Sequence, residues 1–188
     1  MFLALIPSLG FARCFVGSMM TAPPEEGTVN KLSEGTYKEI LVFELENQRF
    51  GLPVSDVIET IRAVTITPLP HAPSIIEGIL NFRGKIVPVL DIRARFHKKP
   101  KLIEIQDHLI LARAGTRQVA LRVDRATDLV RVPEKDIEDS KKVTTKLEFI
   151  SGVARLAEGM VLIHELGTFL SEEEAQGLNL SLAAHERA

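Results

Sequence analysis

His164-Glu165 opens like the metal-binding helix motif of zinc proteases, in which two histidines one helical turn apart hold the ion and the glutamate between them acts as base. Here the position that must carry the second histidine is Thr168. The other histidines, His71, His97, His108 and His185, have no ligand spacing, and no glycine-rich loop followed by lysine cradles a phosphate. Serine and cysteine nucleophiles stand without a nearby base. Lys98, Lys99 and Lys101 form a basic loop around Pro100. Nucleic-acid binding by a small barrel wants exposed aromatics beside such cations, and the chain has one Tyr, no Trp and nine Phe, most of them in apolar patterns. A solvated loop is expected. No catalytic constellation, metal site or cofactor site emerges, which leaves recognition.

Recognition has a candidate in Gly78-Ile79-Leu80-Asn81-Phe82-Arg83-Gly84-Lys85-Ile86-Val87-Pro88-Val89-Leu90-Asp91-Ile92-Arg93. Asn81 to Gly84 has turn chemistry, since Asn tolerates and Gly freely adopts left-handed backbone angles. Ile86, Val87, Val89 and Leu90 read as a strand buried on both faces. Asp91 is placed to cap a short helix over Ile92 to Phe96. The turn lifts Arg83 away from apolar surroundings. Two readings of Arg83 stay open: a recognition residue, or an arginine that satisfies a turn carbonyl or an acid such as Glu59 or Asp91.

This block resembles the signature of the CheW-like domain, the adaptor fold of bacterial chemosensory arrays. The resemblance rests on Asn81-Phe82-Arg83-Gly84 and Pro88-Val89-Leu90-Asp91-Ile92-Arg93, with Phe82 where the family usually has Leu, and spans about Tyr37 to Leu170.

The elements that must position this block are legible separately. From Ile40 the apolar residues alternate: Leu41, Phe43 and Leu45, then Phe50, Leu52 and Val54, with Glu46 to Arg49 as the turn. The design recurs with Leu109 and Leu111, Gly115 at the turn, and Val119, Leu121 and Val123. Leu52-Pro53-Val54 matches Leu121-Arg122-Val123 at an offset of 69 (121 − 52), and Ile58-Glu59-Thr60-Ile61 matches Thr127-Asp128-Leu129-Val130 at the same offset. Gly78-Ile79 matches Gly152-Val153 at 74 (152 − 78), which places a five-residue insertion near Glu138 to Glu148. Each repeat is about five short strands, too few to bury a good core alone, so two units packed together are expected. Regular short strands suggest small barrels, with Pro53 and Pro88 at edges or bulges. The second copy has Ala154-Arg155-Leu156-Ala157-Glu158-Gly159 where the first has the Arg83 turn.

At 188 residues, net charge −2 and 45% hydrophobic, the chain has no global electrostatic footprint for nucleic acid. Cys14 is the single cysteine, so no internal disulfide forms. Residues 1–36 read as a disordered leader and linker, apolar to Val16 and then rich in Pro, Glu, Gly, Ser and Thr; the apolar part is expected to be an unpacked leader or sequence upstream of a true start at Met19 or Met20. No apolar run is long enough to span a membrane. Residues 171–188 read as a helix and tail: Ser171 and Glu174 form a capping box, Ala175, Leu178 and Leu182 recur at helical spacing, and Gly177 predicts fraying beyond the first turns.

The resemblance implies a mostly β fold: two five-stranded SH3-like barrels packed side by side over 37–170, as halves of roughly 37–100 and 105–170, with short connecting helices and a C-terminal helix. It implies a cytoplasmic, non-enzymatic adaptor without cofactor, nucleic acid or membrane insertion. Its partners would be the regulatory domain of a CheA-type histidine kinase and the cytoplasmic tip of a chemoreceptor, at arrays on the inner face of the membrane. Val57, Glu59, Gly78, Asn81, Arg83 and Gly84 match partner-binding positions of the family, and Leu109, Ala126 and Leu129 match positions lining a groove between barrels. On the residues alone, Val57, Leu109 and Leu129 are ordinary core candidates. An RNA-binding double barrel and a scaffold without a kinase partner are the alternatives.

Overall fold

The computed structural model describes residues 36–96, 98–139, 149–157 and 159–185. The leader with Cys14, most of the insertion and the last three residues lie outside them.

Eleven strands are described: β1 (Tyr37–Leu45), β2 (Gln48–Pro53), β3 (Val57–Arg62), β4 (Ile76–Phe82), β5 (Lys85–Asp91), β6 (His108–Ala114), β7 (Arg117–Val123), β8 (Arg125–Pro133), β9 (Ile137–Asp139), β10 (Ile150–Leu156) and β11 (Gly159–His164). Helix α1 (Glu172–His185) follows. One sheet runs β3-β6-β7-β5-β4 and the other β8-β1-β2-β11-β10-β9. Both curl towards closure. Thr67, five residues beyond β3, bridges Ile79 of β4. In the other sheet β8 continues through a 3-10 turn at Glu134–Asp136 into β9, which pairs with β10 on the opposite edge. We call these barrel I (β3–β7) and barrel II (β1, β2 and β8–β11).

The repeat is real, but its halves are not the barrels. The first hairpin of each repeat joins the sheet of the other: β1 pairs with β8, and β3 pairs with β6. The division at 37–100 and 105–170 therefore separates sequence copies, not folded units. The cause lies after the hairpin, where Pro53 enters a 3-10 turn at Val54–Asp56 that redirects the chain into the neighbouring sheet. Alternation fixes which face of a strand is buried, not which barrel receives it.

Symmetry extends to the irregularities. Ile58 and Thr127 are the extra residues of equivalent bulges, between Val57 and Glu59 in β3 and opposite Val42 and Phe43 in β8. Glu77 and Ser151 are the extra residues of a second equivalent pair. Bulges re-aim side chains and sharpen bends, as tight barrels require. Beside the second pair sit Gly78 and Gly152. A Cβ on Gly78 would lie 2.3 Å from the Thr67 carbonyl oxygen, and one on Gly152 would lie 3.0 Å from that of Glu138. Each glycine lets the closing segment approach its bulged strand.

Three apolar clusters follow. Leu80, Val87, Val89, Leu109, Leu111 and Ala120 fill barrel I. Ile40, Val42, Val132, Ala154, Val161 and Ile163 fill barrel II. Between them lies the largest, with Phe43, Leu45, Phe50, Leu52, Ile110, Leu121 and Phe169 among its members. β1 serves two clusters at once, Ile40 and Val42 inward and Phe43 and Leu45 towards barrel I. Pro88 sits where β5 pairs with β4 only, one residue before pairing with β7 begins. Ile86 departs from expectation: it is about half exposed near the hairpin end, beyond cover by β7.

The capping box forms, with the Glu174 amide donating to Ser171 Oγ at 3.2 Å and the Ser171 amide to Glu174 Oε2 at 2.9 Å. The helix does not fray after its first turns. It continues to His185 because Leu178 is fully buried and Leu182 packs on the central cluster.

Candidate partner-binding surface

The β4–β5 hairpin closes through two residues, Arg83 and Gly84, between the paired Phe82 and Lys85. Both have positive φ, +51° and +82°, as the turn that matches strand twist requires. Asn81 Oδ1 accepts the Gly84 amide at 2.9 Å and fixes the loop from within. The Arg83 guanidinium lies over the Phe82 ring at 4.9 Å and bonds Glu59 Oε2 at 2.5 Å. β3 and β4 stand at opposite ends of the sheet order, so this contact spans the seam where barrel I closes. Of the two acids weighed for Arg83, Glu59 is the partner, while Asp91 binds Arg93 and Arg122. The Arg83 side chain is nonetheless 71% exposed.

The nine candidate residues divide by burial. Asn81, Arg83 and Gly84 are exposed at the hairpin, with half-buried Glu59 beside them. Leu129 is 60% exposed on β8, contrary to its reading as core. Val57 and Ala126 are repeat equivalents, both half-buried against the central cluster. Leu109 and Gly78 offer a partner no surface. Leu109 is fully buried inside barrel I, and Gly78 lies under the Thr67 backbone. In the folded chain these two shape the walls that the others stand on. An open cleft of ≈ 730 Å³ between Tyr37, Pro53, Arg131 and Ile137 is lined by none of the nine.

Sequence reasoning missed a cluster of buried charge. Arg93 and Arg122 are 1% and 2% exposed and Asp107 is fully buried. Arg93 bonds Asp124 Oδ1 at 2.6 Å, and its amide meets the capping Asp91 at 3.1 Å. Arg122 binds Asp91 at 2.7 Å, approaches Glu77 at 2.6 Å, and donates twice to the Lys101 carbonyl at 2.9 Å. Lys101 Nζ reaches Asp107 at 2.9 Å and Asp124 at 3.2 Å. Lys101 is thus not a solvated loop lysine. Burial raises the Glu77 carboxyl above its ordinary range, outweighing Arg122. Burial would also raise Asp124, but the Glu46 amide, Arg93 and Lys101 overcome it and hold that carboxyl low. The available signal was one arginine, Arg122, within the apolar run Val119 to Val123.

His164 ends β11, so no zinc-binding helix exists there. Nδ1 meets the Phe149 carbonyl at 2.7 Å, and Nε2 is buried without a partner. Among the described residues no group of three or more His, Cys, Asp or Glu is placed to hold a metal.

The sequence pattern that defines the CheW-like domain matches residues 39–174. The chain belongs to the CheW-like domain family. Chemotaxis protein CheW of Klebsiella aerogenes is 30% identical over 150 residues, covering 78% of this chain and 90% of that protein. Chemotaxis protein CheW of Rhizobium meliloti is 29% identical over 141 residues, covering 74% and 91%. The crystal structure of the scaffolding protein TtCheW from Thermoanaerobacter tengcongensis superposes with a TM-score of 0.68 at 32% identity, covering 74% of this chain and 96% of that one.

Proposed function

We propose that this CheW-like chain is a non-enzymatic adaptor of a chemosensory array that couples chemoreceptors to a CheA-type histidine kinase. Its similarity to chemotaxis CheW proteins and to a scaffolding protein supports the adaptor role. The observation that carries the recognition claim is Arg83, exposed on a rigid two-residue turn and aimed by Glu59 and Phe82. The kinase's regulatory domain, itself CheW-like, would pack barrel to barrel. The receptor's helical tip would lie along the strip of Val57, Ala126 and Leu129 where the barrels meet. Such an adaptor alters kinase output only by binding active and inactive assemblies with different affinity. Lys98 approaches Glu46, and Lys101 lies in the buried ion network, which weighs against RNA binding by that loop. Among the described residues no helix is long and apolar enough to cross a membrane, in keeping with a proposed cytoplasmic place beneath the receptors.

Titration of purified kinase regulatory domain and receptor fragment tests the proposal. Arg at an interface centre contributes about 1–3 kcal/mol, so Arg83→Ala should weaken binding about 5- to 150-fold. Its stability should change by no more than about 0.5 kcal/mol, as for a surface position. Unaltered affinity for both partners would sink the recognition claim. Unfolding would make Arg83 structural.

A further inference from the structure

We propose that Asp128 is a further partner-binding residue: a carboxylate at the end of barrel II that takes a basic side chain of the receptor tip and, with Arg83 on barrel I, fixes the direction in which that tip lies. The two acids Glu59 and Asp128 occupy matching places in the repeat. Glu59 follows the bulge residue Ile58 on β3, and Asp128 follows the equivalent Thr127 on β8. Glu59 faces Leu111 in register, a residue that fills barrel I, and Asp128 faces Val42, which fills barrel II. Each acid therefore ends the inward row of its strand. In barrel I that place holds a guanidinium, since Arg83 reaches across the seam to Glu59 at 2.5 Å. Barrel II keeps the acid and lacks the arginine. The β10–β11 turn lies between the paired Leu156 and Gly159, as the β4–β5 turn lies between Phe82 and Lys85, which sets Ala157 where Arg83 stands. A methyl group donates nothing. Asp128 is exposed and makes no hydrogen bond or ion pair among the described residues.

The cations on neighbouring strands do not reach it. Arg131 pairs with Glu39 at 3.6 Å and Arg155 with Glu138 at 2.8 Å. Glu44 stands in register between Arg125 on β8 and Arg49 on β2, and Arg49 has a partner of its own. Sign selects the group that Asp128 takes, and position selects its source. Val57 and Ala126 come two residues before the two acids, so the Glu59–Arg83 pair and Asp128 stand on the two barrels at either side of the strip along which the receptor tip is proposed to lie. A strip built from two copies of one repeat would accept a helix in either direction. Arg83, 71% exposed, offers positive charge on barrel I, and Asp128 offers negative charge on barrel II. A helix that carries an acid for the first and a base for the second then binds in one direction. Reversed, it would set like charges together at both ends, which is how a wrong orientation is rejected.

The inference rests on the adaptor reading and names one contact within it. The test titrates the full chain with a chemoreceptor cytoplasmic hairpin fragment and, separately, with the kinase regulatory domain, each at low and at physiological salt. Asp128→Asn should weaken binding to the receptor fragment about 3- to 10-fold and flatten its salt dependence, and Asp128→Lys should weaken it about 10- to 100-fold. Both variants should melt as the wild type does, because Asp128 holds no other group of the folded chain. Full affinity of both variants for a fragment that the wild type binds overturns the role of Asp128 and leaves the adaptor reading standing. Weaker binding to the kinase domain alone overturns the receptor as the source of the basic side chain. A wild type that binds neither partner overturns the adaptor reading and the Asp128 contact together.

Discussion

His164 should make the protein acid-sensitive through a single ring. It sits with centroids 4.6 Å from Phe96, 5.4 Å from Phe50 and 5.6 Å from Phe169. Burial lowers its pKa from 6.5 to about 4, against a smaller upward pull from the Phe149 carbonyl. The folded state therefore binds fewer protons than the unfolded state between those values, so stability rises with pH in that window. The contribution is complete above about pH 6.5 and is lost as the pH falls towards 4. At 1.36 kcal/mol per pKa unit, the full loss below pH 4 is about 3 kcal/mol, and about 2 kcal/mol is gone by pH 5. His164→Phe removes the titration and leaves the Phe149 carbonyl without its donor. Urea melts of both proteins at pH 7, 6 and 5 isolate the effect, because every other group cancels in the difference. The variant should be the less stable at pH 7 and should recover about 2 kcal/mol relative to wild type by pH 5. A wild-type-minus-variant difference that stays flat across this range would show that His164 does not titrate as its burial demands.

Gly78→Ala should destabilise by about 2 kcal/mol or more, because its Cβ would meet backbone at 2.3 Å, whereas Gly152→Ala should cost less; paired denaturant melts give the order. Gly84→Val meets open space but keeps a positive φ, so its cost of about 1–2 kcal/mol is backbone strain alone. Arg122→Met leaves Glu77 without its ion-pair partner and takes one of two from Asp91, which keeps Arg93, and from Asp107, which keeps Lys101; it should cost about 3–5 kcal/mol in the same melts. A fragment of residues 37–100 should show no cooperative transition by circular dichroism, since its β1–β2 hairpin belongs to barrel II and β3 lacks β6.

Strand positions were legible because alternation and turn chemistry are local. Glu46 to Arg49, Asn81 to Gly84 and Gly115 each mark a hairpin that the structure contains. The repeat was legible too, down to a change of offset that falls between β8 and β10. The exchange of hairpins was not, because equivalent strands carry nearly equivalent apolar faces and either barrel accepts them. The Arg83 turn could be read, and its pairing with Glu59 was one of two open choices that barrel closure decides. Leu129 and Leu109 show the limit of composition: two leucines in strands, one 60% exposed and one fully buried. Buried charge escaped because Arg122, Asp107 and Lys101 meet only through folding, and a lone charge in a strand reads as a solvent-facing residue.

Stability does not account for the arginine in the β4–β5 turn. The backbone there is left-handed, which costs an L-residue with a bulky side chain about 1–2 kcal/mol, and Asn or Gly would meet it with less strain. The ion pair with Glu59 returns little, since exposed pairs are worth about 0–1 kcal/mol. The stacking on Phe82 joins adjacent residues and closes no part of the core. The second repeat keeps the hairpin and places Ala157 at the matching position, without the left-handed backbone that Arg83 adopts. A strained position filled by a residue that the fold does not need fits the partner-binding role proposed for the Arg83 side chain. In that proposal Glu59 across the seam aims the guanidinium, and a partner carboxylate that took its place would gain a charge already fixed in position.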